Sequence, residues 1–146
     1  MTRSIQHQVD IDAPAGAVWA QLVDTAAYHE WNPFVRRLAG ELRTGSRLSV
    51  EIAPPGGRAM TFKPTVIAVE TERELRWLGH LLVPGLLDGE HTFRLEALPE
   101  GGTRLTQAET FRGLLVGLFA GTLKKTQSGF AQMNVALKHR AEAAVA

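Results

Sequence analysis

The residues best suited to chemistry in this sequence are a histidine, a glutamine and a glutamate in its second half. His91 belongs to the run DGEHTFRLEA, Gln107 and Glu109 belong to TRLTQAETFR, and the turn residues PEGG separate the two runs. If the runs pair as a hairpin with Leu95 opposite Leu105, His91 faces Glu109 across the strands. A histidine beside a carboxylate can act as a general acid/base pair on a bound carbonyl compound. The same pair can equally be a buried contact that only fixes the strand register.

Aromatic residues flank these polar groups. The alternation of inward- and outward-facing side chains can be extended across the loop at 83–89 to the preceding strand. It then predicts Trp77 beside Phe93 and Gly79 beside His91 on an inner, apolar face. An ionised Glu109 left alone on such a face would cost several kcal/mol. We therefore expect it to meet a partner, a water or a ligand.

The run YHEWNPF at 28–34 gathers aromatic and hydrogen-bonding side chains at one place. The residue before a proline is disfavoured in a helix, so Asn32 ends a helical turn and the run becomes a helix-to-strand junction. We expect Trp31 and Asn32 to close one end of a pocket that opens near Trp31 and the loop at 83–89. Large rings in such positions are as often core residues as ligand contacts.

Hydrophobic periodicity predicts an α+β fold. Apolar residues alternate over 5–11, which is typical of a strand with one buried face. Two short helices follow, the second of them over Thr25–Glu30. Between 35 and 112 about six further strands are separated by turns rich in Gly and Pro, and Pro64 interrupts one of them as a bulge or an edge position. Their alternation predicts an antiparallel sheet with one face toward water and the other toward a core.

A long helix is predicted at the C-terminal end. Its apolar positions recur at helical spacing from Phe119 to Ala144, a length of about 39 Å at ~1.5 Å per residue. Such a helix can lie across a whole sheet. The spacing of Gly113, Gly117 and Gly121 predicts a close approach of this last helix to the sheet.

Composition restricts the classes of function. The 146 residues suit one domain spanning 1–146, and the net charge of +1 gives no long-range attraction to nucleic acid or to a membrane. Without cysteine there is neither a thiolate nucleophile nor a disulfide framework, and the sequence contains no metal-binding or cofactor-binding motif. The N-terminal residues lack a signal-peptide pattern. We expect a cytoplasmic protein, monomeric or homodimeric, without stable membrane insertion, cofactor or metal.

The order and spacing of several runs resemble a known superfamily. These runs are VDIDAPAGAVWAQLVD, YHEWNPF, RELRWLG, DGEHTFRLEALPEGGTRLTQAETFRG and GFAQMNVALKHRAE. The chain is similar over nearly its whole length to the SRPBCC superfamily, which includes START domains and the birch-pollen allergen, and within it to bacterial polyketide cyclase/dehydrase-like proteins. The resemblance implies a helix-grip fold, in which a curved seven-stranded antiparallel sheet wraps around the C-terminal helix and leaves an elongated apolar cavity. It implies function less closely, because one fold hosts many activities.

Three functions remain open. The protein binds or carries a small hydrophobic or aromatic ligand, or it is a cyclase- or dehydratase-like enzyme that uses His91 and Glu109 as its acid/base pair, or it is an interaction module that stimulates a protein partner. Binding is the preferred hypothesis, because no nucleophile or cofactor motif accompanies the pair. The expected ligand contacts are Trp31, Asn32, Phe62, Trp77, His91, Phe93, Gln107, Glu109, Phe111, Leu123, Phe130, Met133 and Asn134.

Overall fold

The computed structural model describes residues 1–81 and 83–146, which form an α+β fold. Its strands are β1 (Thr2–Ile11), β2 (Val35–Ala39), β3 (Ser49–Ile52), β4 (Met60–Phe62), β5 (Thr65–Glu70), β6 (Glu74–Leu81), β7 (Leu87–Ala97) and β8 (Thr103–Arg112). Its α-helices are α1 (Ala15–Val23), α2 (Tyr28–Trp31) and α3 (Ala120–Val145), with short 3-10 turns at Thr25–Ala27 and Val116–Phe119. The two short helices after the first strand and the long C-terminal helix are confirmed.

The larger sheet is antiparallel with strand order β1-β8-β7-β6-β5. In its central hairpin His91 pairs with Glu109 and Leu95 pairs with Leu105, so the predicted register of β7 against β8 is confirmed. The side chains of Phe93 and Leu105 are completely buried on the face that these pairs share. That face is the inner one.

The predicted register between β6 and β7 is wrong by two residues. Trp77 pairs with His91 and not with Phe93, and Gly79 pairs with Gly89. The connecting turn is centred on Pro84, where the Leu86 N–H donates to the Val83 carbonyl, and not one residue later. Because the shift is an even number of residues, Trp77 and Gly79 still lie on the predicted face.

The chain forms eight described strands in two sheets, so the prediction of one seven-stranded sheet is wrong. Pro64 is the reason: it divides one predicted strand into β4, which joins the three-stranded sheet β2-β3-β4, and β5, which lies at the edge of the larger sheet. Proline has no N–H for a ladder. Residues just before β3 connect the sheets, since the Leu48 N–H donates to the Pro64 carbonyl and the Val66 N–H donates to that of Ser46. The result is a single curved antiparallel surface.

Helix α3 covers the inner face of this surface. It runs within one residue of the predicted bounds and packs against β1 and α1. Its buried side chains recur at helical spacing and include Leu123, Phe130, Met133 and Leu137. The core of the protein therefore lies between α3 and the curved sheet.

The close approach of α3 depends on a glycine that the sequence pattern did not single out. Gly121 has no atom of another residue close to the position that a Cβ would take, so the predicted role of the Gly113 to Gly121 spacing is wrong for it. Gly113 lies before the helix with a φ of +130°, a conformation that favours glycine. At Gly129, by contrast, a Cβ would overlap the ring of Phe34. At this position the backbone of α3 packs directly against Phe34, the residue before β2.

Candidate functional site

A pocket of about 250 Å³ lies between the curved sheet and the first half of α3. Both sheets and the helix contribute to it, so it forms where the three layers meet. Most of its lining is apolar or aromatic. The lining residues are Phe34, Val35, Val50, Ile52, Met60, Phe62, Pro64, Trp77, Gly79, His80, Leu81, Leu87, Gly89, His91, Glu109, Phe111, Phe119, Thr122, Leu123 and Thr126.

The histidine–glutamate pair predicted from the hairpin register lies in the wall of this pocket. Nδ1 of His91 and Oε1 of Glu109 are 3.1 Å apart, and their side chains are 5% and 17% exposed. The imidazole stacks on the indole of Trp77, with ring centroids 5.0 Å apart and planes inclined by 18°. Phe130 from α3 meets the imidazole edge-to-face at 5.0 Å. The ring of His91 is therefore held by aromatic packing as well as by Glu109.

Behind the pair, a line of amide groups runs from β7 through β8 and α3 to the edge strand β1. Nε2 of His91 lies 3.0 Å from Oε1 of Gln107, and the Gln107 amide donates to Oδ1 of Asn134 at 2.8 Å. The Asn134 amide in turn donates to the carbonyl of His7 and to its Nδ1, both at 3.0 Å. Gln107 and Asn134 are completely buried. Their polar groups are satisfied by this line, which starts at Glu109, as buried polar groups require.

Gly89 leaves the space that the second carboxyl oxygen of Glu109 uses. Gly89 lies between Glu109 and Phe111, and a Cβ there would overlap Oε2 of Glu109. Its partner on β6, Gly79, is less crowded, because a Cβ there would meet only Pro64 at ordinary contact distance. Within the described chain Oε2 makes no hydrogen bond to a side chain, yet it is not among the fully buried polar atoms that lack a partner. It remains open on the pocket side.

The end of β6, the start of β7 and the segment before α3 meet beside the pocket and contribute Leu81, Leu87 and Phe119 to its lining. The Leu114 N–H donates to the Gly85 carbonyl at 3.2 Å, which ties these segments together. Here His80 donates from Nδ1 to Asp88 at 2.7 Å. The hydrogen bond from His80, followed by that from the Gly85 N–H, holds the pKa of Asp88 below its usual value. Leu82, which directly precedes the loop at 83–89, lies outside the described residues.

The family of the chain is shown by a match over nearly its whole length. Residues 2–142 match the model of a family described as polyketide cyclase / dehydrase and lipid transport. The chain belongs to this family. The predicted resemblance to the SRPBCC superfamily and its helix-grip fold is thereby confirmed. No curated protein is significantly similar to the sequence.

Solved structures share the fold of this polyketide cyclase/dehydrase family member at low identity. The Zhui aromatase/cyclase from Streptomyces sp. R1128 is 18% identical, with a TM-score of 0.80 over 100% of this chain and 97% of that chain. A norcoclaurine synthase from Thalictrum flavum is 13% identical, with a TM-score of 0.76 over 100% of this chain and 98% of that chain. A protein from Thermus thermophilus is 21% identical, with a TM-score of 0.74 over 99% of this chain and 100% of that chain. At these identities the likeness concerns the fold alone.

Six of the residues predicted as ligand contacts line the pocket of this family member, and five lie directly behind its wall. The lining set is Phe62, Trp77, His91, Glu109, Phe111 and Leu123. The second set is Phe93, Gln107, Phe130, Met133 and Asn134, which are all completely buried. These five hold the wall in place and do not form its surface.

The structure places Trp31 and Asn32 away from the pocket. Oδ1 of Asn32 accepts hydrogen bonds from the N–H groups of Phe34 and Val35, so this side chain fixes the turn into β2. Trp31 borders a separate, open depression beside Arg140 on α3. The member of YHEWNPF that does line the pocket is Phe34.

Sequence reasoning missed the part of the wall that comes from the smaller sheet and from α3. Val50 and Ile52 of β3 line the pocket, together with Thr122 and Thr126 of the helix. The alternation of Val50 and Ile52 was a usable signal, because both face the side that Phe62 faces across the pairing of β3 and β4. The threonines carried no such signal, since they interrupt an apolar stripe and resemble surface positions.

Two further observations concern the residues that the structure describes. None of the helices in 1–81 and 83–146 has the length and apolar character needed to cross a membrane. The same stretch contains no cluster of three or more His, Asp or Glu side chains arranged to hold a metal ion.

Proposed function

We propose that this protein binds a small, mainly apolar or aromatic molecule in the pocket between the curved sheet and α3. The observation that carries the proposal is the pocket itself, whose largely apolar wall contains one buried histidine–glutamate pair. Ligand sites of this kind combine apolar walls, which contribute affinity, with a few fixed polar groups that orient the ligand. Trp77 and Phe62 would contact the flat or apolar part of the ligand, and Glu109 its polar group.

A direct test is binding of an environment-sensitive apolar fluorophore to the folded protein. We expect saturation at about one site, and we expect Thr122→Trp to weaken it, because Thr122 lines the pocket and an indole there would fill it. Ser128→Trp is the matched control, since Ser128 is also exposed on α3 but does not line the pocket. Equal binding by both variants, or binding only to unfolded protein, would contradict the proposal.

A second candidate function is that of a cyclase- or dehydratase-like enzyme. The observation in its favour is the direct contact between His91 and Glu109 at the pocket wall, because such a pair can transfer a proton to or from a bound carbonyl compound. In this alternative His91 and Glu109 are the catalytic residues, and no cofactor takes part.

The two candidates are separated by identifying what the protein carries. Mass spectrometry of the material released from purified, folded protein would name a compound, which is then incubated with wild type and with His91→Phe. A carrier leaves the compound unchanged in both samples. An enzyme converts it, and His91→Phe still binds it without conversion.

A further inference from the structure

In the line of hydrogen bonds behind the pocket, one backbone atom decides which group donates and which accepts at every step. The carbonyl of His7 can only accept, so the nearby side-chain atom of Asn134 must be its nitrogen. Oδ1 of Asn134 then faces Gln107, which must present its own nitrogen to it. Oε1 of Gln107 therefore faces His91, and Nε2 of His91 must carry a hydrogen to donate to it. The backbone carbonyl of His7 on β1 thus requires a hydrogen on Nε2 of His91.

This leaves Nδ1 of His91 as the ring atom that meets Glu109. A bare Nδ1 and an ionised carboxylate are both acceptors and would repel each other at the observed 3.1 Å. One proton must therefore lie between Nδ1 and Oε1, whichever atom it is bonded to. With that proton in place, Oε2 of Glu109 carries none and acts only as an acceptor.

Thr126, another polar residue of the pocket wall, also presents an acceptor. The Thr126 hydroxyl, which lines the pocket, uses its hydrogen to donate to the carbonyl of Thr122 at 2.9 Å. Its remaining lone pairs are acceptors. Glu109 and Thr126 thus offer acceptors, and neither offers a spare donor.

We infer that the pocket selects ligands whose polar group is a hydrogen-bond donor, such as an alcohol or a phenol, over analogues whose polar group only accepts. This inference rests on the proposed ligand-binding function and names the ligand class for the same site. An aromatic alcohol would donate to Oε2 of Glu109 in the space beside Gly89. An ether or a ketone of the same shape would place an acceptor against an acceptor.

Calorimetric titration with three matched probes tests the selection: naphthol, methoxynaphthalene and acetylnaphthalene, each substituted at the same ring position. Naphthol gains a hydrogen bond to Oε2 where the other two probes place an acceptor against an acceptor, so it should bind about tenfold more tightly than either. If all three bind equally, or the ketone binds best, the inference is wrong although the pocket binds ligands. If none of the three binds, the proposed function itself fails for compounds of this size.

Variants of Glu109 assign the preference to its carboxylate. In Glu109→Leu the acceptor is absent, so naphthol and methoxynaphthalene should bind alike. In Glu109→Gln the amide donates to Nδ1 of His91 and its oxygen takes the place of Oε2, so a smaller preference for naphthol should remain. Glu96→Gln, on the exposed face of β7, is the control and should retain the full preference. A full preference in Glu109→Leu would overturn the assignment.

Nitrogen NMR of the His91 ring tests whether the hydrogen-bond line holds a hydrogen on Nε2, first in the wild type and then in a variant. In the folded wild type, Nε2 should be protonated at every pH at which the protein remains folded. Observation of an unprotonated Nε2 in wild type would overturn the argument. In Asn134→Leu, Gln107 is free to rotate its amide, and an unprotonated Nε2 should appear.

Discussion

Within residues 1–81 and 83–146 the protein has two histidine–carboxylate pairs on neighbouring strands, and their chemistry is alike while their surroundings differ. His91 and Glu109 are partners across β7 and β8, and His80 and Asp88 are partners across β6 and β7. In both pairs Nδ1 of the imidazole meets a carboxylate oxygen, at 3.1 and 2.7 Å. The first pair lies in the inner wall of the pocket, and the second lies on the opposite, more exposed face of the sheet near the turn at Pro84.

Their surroundings decide what each pair does. The inner histidine is 5% exposed and its second nitrogen is held by Gln107, whereas the outer histidine is 38% exposed and its carboxylate also accepts from the Gly85 N–H. The outer pair therefore stabilises a turn, in competition with water. The inner pair is much less exposed, so its geometry is defined mainly by the surrounding protein atoms. The same two residue types thus make a loop contact in one place and a candidate recognition site in the other.

The largest expected effect comes from removing the support of the inner pair. Gln107→Leu leaves the Nε2–H of His91 and Oδ1 of Asn134 buried without partners, each at a cost of about 1–3 kcal/mol. We expect the free energy of unfolding, measured by urea titration, to fall by about 2–5 kcal/mol. Gln127→Leu is the control: this exposed glutamine donates a hydrogen bond to the Gln6 carbonyl, and its replacement should change stability by less than about 0.5 kcal/mol. Similar losses of unfolding free energy in both variants would contradict the expectation that the buried Gln107 contributes more than the exposed Gln127.

A smaller effect is expected from the glycine pair beside Glu109. In Gly89→Ala the new methyl group overlaps Oε2 of Glu109 and must displace it, which should cost about 1–3 kcal/mol as overpacking does. Probe binding should weaken at the same time. Gly79→Ala, its cross-strand partner, meets only Pro64 and should have the smaller effect on both measurements. The reverse order would mean that Glu109 is not held where the inner pair requires.

The smallest effect should come from the outer pair, and it should depend on pH. The pKa of Asp88 lies below its ordinary value of 3.8 because of the hydrogen bonds from His80 and the Gly85 N–H. The contribution of the carboxylate to stability is therefore complete above that value and is lost as the pH falls through the lower pKa of the folded state. Asp88→Asn should lower the melting temperature slightly at neutral pH. The difference from wild type should shrink on acidification below 3.8, and a difference that is constant with pH would contradict the role given to this pair.

The contrast between the two pairs also indicates what the sequence could predict. The register of β7 against β8 was predictable, because the turn PEGG is unambiguous and the apolar residues on both strands alternate strictly. The register of β6 against β7 was not, because the apolar connection between them gives no sign of where its turn is centred. The His91–Glu109 contact follows from the first register, and the His80–Asp88 contact follows from the second.

The remaining errors concern features that depend on tertiary contacts. Pro64 was recognised as an interruption, but whether a proline bends one strand or separates two depends on the hydrogen bonds of the segment opposite, here around Ser46 and Leu48. Trp31 was expected in the pocket because its neighbours suggested one, yet the direction of a side chain at a helix end depends on packing against α3. Such contacts join residues that are distant in sequence and leave no local pattern.

The contact between Gly129 and the ring of Phe34 has a consequence for how this pocket can change over evolutionary time. Phe34 both supports the helix and lines the pocket, so its size determines both the room for a side chain at position 129 and the volume of the pocket. A larger residue at position 129 is compatible with the fold only after Phe34 has become smaller, and a smaller residue at position 34 enlarges the pocket at the same step. The two positions are therefore epistatic and should vary as a pair among descendants of this chain. Phe62 and Leu123 also line the pocket, but neither lies against a glycine of α3, so a change in the size of either one does not require a change at position 129.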